Sequence, residues 1–106
     1  MQRWIPIRHR DFWDVPRIFL AADRGSLFLF DCPFDEETED YPDYYLVYLL
    51  PDLADTELQG SWADLSAQAT RFLGRVPISQ VLFDESRRQA IDSRVLTSLT
   101  SAAQAS

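Results

Sequence analysis

Apolar residues fall in short continuous runs through the first half of the chain and at wider spacing through the second. Trp4-Ile5-Pro6-Ile7 reads as a short extended stretch. Its Pro6 suits an edge strand or strand start, because proline donates nothing to a ladder. Ile18-Phe19-Leu20-Ala21, preceded by Arg17, and Leu27-Phe28-Leu29-Phe30 are separated by Ala22-Asp23-Arg24-Gly25-Ser26. Gly25 can take positive φ, so the two runs predict a β-hairpin. Tyr44-Tyr45-Leu46-Val47-Tyr48-Leu49-Leu50 predicts a further strand, ended by Pro51-Asp52. It is expected to pair with the hairpin in an antiparallel sheet.

The second half changes to a helical period. Ser61 is a plausible N-cap, with Asp64 three residues on in a variant capping box. Trp62, Leu65, Ala69, Phe72, Leu73 and Val76 fall near one helical face, and Gly74 with Pro77 would end the helix. Residues 78–83 are readable as a short strand or an irregular core segment. Asp84 or Ser86 could start a last helix, with Ile91, Val95 and Leu99 on its inner side. Residues 97–106, small and polar, read as a frayed tail. The fold class expected is α+β in one domain over 1–106. A small antiparallel sheet of three to five strands in the N-terminal half would be covered on one face by two C-terminal helices.

Composition supports a folded domain. Of 106 residues, 46% are apolar, including three tryptophans, four tyrosines and seven phenylalanines. That is too rich in core-forming residues for a disordered chain. Cys32 is the only cysteine, which excludes an internal disulfide and favours the cytoplasm. The first residues carry no long apolar stretch or cleavage signal, and no run approaches the about 20 residues that span a bilayer. All ten basic residues are arginine, and lysine and asparagine are absent. This usage points to a GC-rich coding genome and hence a bacterium. Without lysine, a Schiff base and a P-loop lysine are both excluded.

Charge is segregated as well as unbalanced. The formal net charge is −7, and no basic residue lies between Gly25 and Thr70. Asp31 to Asp43 holds two prolines and seven acids, and reads as a loop. Asp35, Glu36, Glu37, Glu39 and Asp40 repel phosphates, so nucleic acid is not expected on this face. Clustered carboxylates can hold calcium or magnesium, but the spacing is not that of an EF-hand and no glycine supplies its turn. No cofactor is called for. Tyr41, Tyr44 and Tyr45 adjoin the acids, as does Phe34. Acids that steer approach and rings that supply contact area suit an interface to a basic protein. In character this resembles the acidic, tyrosine-bearing surfaces of nuclease-inhibiting immunity proteins and DNA mimics, a likeness that fixes no fold and no residue role.

Signatures of the common catalytic centres are missing. There is no Gly-x-Ser-x-Gly, His-Glu-x-x-His or Cys-x-x-Cys, and one histidine with one cysteine cannot fill an ordinary zinc site. His9 lies in Arg8-His9-Arg10-Asp11, where Asp11 or Asp14 offers an acid-base partner. Cys32 sits between Asp31 and Asp35, whose charge disfavours a thiolate, so it reads as a small buried residue. Trp4, Phe12 and Trp13 read as core or rim aromatics. Three functions are therefore carried forward. The first is a non-enzymatic domain binding a basic protein through loop 31–45. The second is a small enzyme or binding protein holding an anionic small molecule with His9, Asp11 and arginines. The third is a homo-oligomer subunit, with the acidic loop meeting Arg87 and Arg88 on the last helix. Arginines converging with His9 in one concavity would favour the second. Arginines dispersed, with a projecting acidic loop, would favour the first.

Overall fold

Each apolar run of the first half becomes a strand, and each strand finds its sequence neighbour beside it. A computed structural model describes residues 3–12, 14–53, 55–59, 62 and 64–105. Strands β1 (Trp4–Phe12), β2 (Pro16–Asp23), β3 (Ser26–Asp31) and β4 (Tyr44–Leu50) are followed by a short helix α1 (Asp55–Gln59) and a 3-10 turn at Leu65–Gln68. Then come β5 (Arg71–Pro77), a 3-10 turn at Ile78–Gln80, β6 (Ala90–Asp92) and helix α2 (Arg94–Ala105). All pairings are antiparallel, in the order β5-β4-β3-β2-β1-β6. The β2–β3 turn has φ of 52° at Arg24 and 79° at Gly25. Two positive φ values in a two-residue turn match the right-handed twist of the strands they join.

The sheet is buried on both faces. Phe19, Phe30, Tyr45 and Val47 lie in one core with Val81, Ile91 and Leu96 from the C-terminal segment. Leu20 and Leu29 lie in the other with Leu58, Trp62 and Leu65 from the α1 segment. Successive residues of a strand point to opposite faces. A strand covered on both sides therefore reads as an unbroken apolar run.

The two-helix cover over three to five strands does not form; among the described residues six strands make one sheet, and only α2 is a helix of several turns. The stretch 62–73 leaves helical period after Gln68 and enters β5. Beyond β3, strand β4 would otherwise bury a row of unpaired backbone groups, and β5 satisfies them. The expected N-cap, Ser61, lies outside the described residues, as does Trp13. The second helix starts at Arg94, not at Asp84 or Ser86. Asp84 instead accepts hydrogen bonds from the backbone N–H groups of Ser86, Gln89 and Ala90, folding 84–90 into a loop. That loop delivers β6 to the free edge of β1, with Ile91 opposite Ile5. Segment 78–83 is a 3-10 turn followed by a single bridge from Phe83 to Ile91. Among the described residues, no helix is long and apolar enough to cross a membrane.

Candidate functional site

One end of the sheet gathers the chemistry. There β1, β3 and β5 finish and β2 and β4 begin, and the chain between β3 and β4 projects as an acidic tip. Asp35 and Asp40 close the tip through reciprocal backbone hydrogen bonds of 2.9 and 3.2 Å. Residues 36–39 form its turn, with Glu39 at φ 55°. The Asp35 carboxylate accepts the Glu37 N–H at 2.9 Å, and that of Asp40 accepts the Tyr41 N–H at 2.8 Å. Asp35, Glu36, Glu37, Glu39 and Asp40 are all exposed. Among the described residues none of them forms an ion pair.

Of the rings, Phe34 is 52% exposed and packs edge-on against Tyr41 at 5.2 Å. Tyr44 is partly exposed beneath the Arg75 guanidinium, 4.8 Å from its ring centre. Tyr45 corrects the expectation for this surface, because it is fully buried. It stacks edge-on with Phe19 and Phe30, and its hydroxyl donates to the Pro16 carbonyl at 2.7 Å. Strand alternation turns Tyr44 and Tyr45 to opposite faces, so the two cannot serve one interface. Burial pushes the Tyr45 phenol up, well away from ionisation.

His9 and Arg10 point to opposite faces, and Asp11 lines the cavity beside the acidic tip while His9 does not. His9 pairs across the sheet with Phe19 of one core, while Arg10 pairs with Ile18, which packs on the other. His9 rests against Phe12 at 5.8 Å, and its Nδ1 is buried without a partner among the described residues. Phe12 lies in turn under Arg88, 4.3 Å from the ring centre. Arg87 and Arg88 belong to the loop before β6, not to a helix, and Arg87 donates to the Asp14 carbonyl at 3.4 Å. The expected placement of Arg87 and Arg88 on the last helix is thus corrected: an exposed loop carries them. Among the described residues no three His, Cys, Asp or Glu side chains come together as a metal site.

Beside the tip lies a cavity of about 380 Å³. Its charged lining is Arg10, Asp11, Arg17 and Asp31, and its rings are Phe34, Tyr41 and Trp62. Arg10 donates to the Leu58 carbonyl at 3.0 Å and lies over Trp62 at 4.7 Å, which ties α1 to the sheet. Arg17 is held from several sides. Its guanidinium pairs with Asp14, donates to Cys32 Sγ at 3.4 Å and covers the Tyr41 ring at 4.4 Å. Cys32 donates onward to the Pro42 carbonyl at 3.3 Å. Burial pushes the thiol up, and Arg17 only partly opposes this. Cys32 is thus a buried packing residue, and burial rather than its acidic neighbours in sequence is the main reason its thiolate is disfavoured. Asp31 is half-buried, and desolvation raises its carboxyl above the usual range.

The sequence signals for this cavity are modest but present. Arg17 and Asp31 are charges set at the ends of apolar strand runs, where register makes them near neighbours. Trp62, whose spacing predicts a helix face, is buried and stacks under Arg10. Comparison with protein-family models, with curated proteins and with solved structures finds no match to this chain.

Proposed function

We propose that the chain is a non-enzymatic interaction domain that offers its acidic tip to a basic protein partner. One observation carries the reading: five exposed carboxylates form no ion pair among the described residues, on a tip held by reciprocal backbone bonds. Like charges held so close raise the free energy of the unbound protein, and a basic surface relieves it. Exposed Phe34, with Tyr41 and Tyr44 at the base, adds ring area that docking would cover. The described arginines are spread over both faces and several loops, and His9 lines neither the cavity beside the tip, which holds Arg10 and Arg17, nor the one around Leu20 and Leu27, which supports the same reading. A buried, reduced thiol and the arginine-only basic content are consistent with a bacterial cytoplasm.

The test replaces Glu36, Glu37 and Glu39 with Gln and Asp40 with Asn together. Wild type and variant are used side by side to capture partners from the native host, with identification by mass spectrometry. A protein retained by wild type and lost on the variant is then measured by surface plasmon resonance at two ionic strengths. Folding stability should change by less than about 0.5 kcal/mol, as for most surface substitutions. Association should slow and its salt dependence flatten. Unchanged association rate and salt dependence, or no differential capture, would overturn the reading.

A further inference from the structure

The cavity beside the tip presents a partly buried carboxylate with nothing to pair with. The register sets Asp31 between Ile18 of β2 and Leu46 of β4 on one sheet face. Both cross-strand neighbours are apolar, so the flanking strands offer it no cation opposite. Among the described residues the Asp31 carboxylate accepts no hydrogen bond and joins no ion pair. Arg10 lines the same cavity, but its guanidinium donates to the Leu58 carbonyl and lies over Trp62. Arg17 is turned to the other face, where Asp14 matches its charge. The described lining therefore sets two carboxylates, Asp31 and Asp11, against the guanidinium of Arg10.

A ring of the same cavity is also uncovered. Trp62 and Tyr41 lie beneath Arg10 and Arg17, whereas no cation lies over Phe34 among the described residues. Phe34 is 52% exposed and meets only the Tyr41 ring, edge to face. A carboxylate held partly out of water without a partner is unfavourable, and a cation that reaches it offsets that cost. A guanidinium answers both features. Its planar fork matches a carboxylate with two hydrogen bonds, and its flat face stacks on an aromatic ring. An ammonium supplies the charge without the flat face. An anion would meet Asp31, Asp11 and the field of the tip. Resting on the reading that the tip meets a basic protein, we propose that this cavity receives an arginine side chain of that partner, its guanidinium on Asp31 and against Phe34. The tip then steers the partner in, and the cavity holds it.

The probe is N-acetyl-L-arginine methylamide, titrated into ¹⁵N-labelled protein at about 150 mM salt, where the Debye length of about 8 Å screens the tip. Two-dimensional NMR should show saturable shifts at the amides of Ile18, Asp31 and Phe34 and at the Trp62 indole N–H. The citrulline analogue keeps the shape and loses the charge, and should bind at least about tenfold more weakly. The lysine analogue should bind at least about threefold more weakly. Asp31→Asn should weaken arginine binding about tenfold, with amides away from the cavity unmoved. The tip variant with four charges removed should hold the probe within about threefold of wild type. With the captured partner, Asp31→Asn should speed dissociation at an unchanged association rate, the reverse of the tip variant. Shifts still linear at about 50 mM, negligible affinity, would overturn the proposal and leave the tip reading standing. So would a citrulline or lysine analogue binding as tightly as arginine, or Asp31→Asn leaving probe binding unchanged. Probe binding with no protein differentially captured would instead remove the tip reading, and with it the partner as the source of the arginine.

Discussion

Single side chains here owe their behaviour to register more than to chain neighbours. Asp31 ends an apolar strand and so stands opposite Ile18, partly out of water. Its raised carboxyl has a defined consequence for stability. The group ionises more readily in the unfolded chain, near pH 4, than in the folded one, so its ionisation favours unfolding. That penalty is fully present above the raised folded value and disappears as pH falls through it toward the unfolded value. Asp31→Asn is therefore expected to raise the melting temperature at neutral pH, with the gain shrinking toward pH 4. A melting series against pH checks it, and a variant less stable than wild type at neutral pH would contradict it. Asp84 is the reverse case. Against a small burial cost, the Ser86 hydroxyl and three backbone N–H groups bring its carboxyl down to about 2, so its stabilising contribution is complete above about pH 4 and is lost as pH falls through about 2.

Among the elements, β5 depends most on one position. Val47 faces Gly74 and Tyr48 faces Phe72, so Leu73 is an extra residue and the strand bulges. Gly74 takes φ of 122° at this bulge, a backbone state that glycine alone adopts without strain. A methyl group at Gly74 would meet no atom within 4 Å, so the cost of Gly74→Ala is conformational. Chemical denaturation should show a loss of about 1–2 kcal/mol. A midpoint unchanged from wild type would mean that the bulge can relax. The same glycine, followed by Pro77, reads in sequence as the end of a helix. Both roles use positive φ, and a local pattern does not distinguish a C-cap from a bulge.

Across the whole molecule, one sheet separates two cores. Leu65 is buried in the core under α1 and Leu96 in the core under α2, each about 2% exposed or less. Leu65→Ala and Leu96→Ala should each cost about 2–4 kcal/mol. The two sites share no partner, so their effects should add in the double variant. Both cores rest on the same strands, so every variant should unfold in one transition, seen alike by tryptophan fluorescence and far-ultraviolet circular dichroism. Two separated transitions would show that one face can unfold alone.

The chain by itself determined the strands that are apolar throughout. Ile18–Ala21, Leu27–Phe30 and Tyr44–Leu50 are too short and too continuous for amphipathic helices, and Gly25 marks the hairpin between the first two. It also determined the acidic tip, because five carboxylates flanked by Pro33 and Pro42 stay in water rather than enter a core. Only the tertiary structure decided the rest. Residues 71–77 and 90–92 are strands because β4 and β1 present backbone edges that must be hydrogen-bonded, a demand made from far along the chain. Tyr45 is core rather than interface, and His9 is parted from Arg10, because side chains alternate across a sheet whose two faces are both covered. Arg17 and Asp31 line one cavity because antiparallel pairing brings the start of β2 beside the end of β3, a proximity that a one-dimensional pattern does not contain.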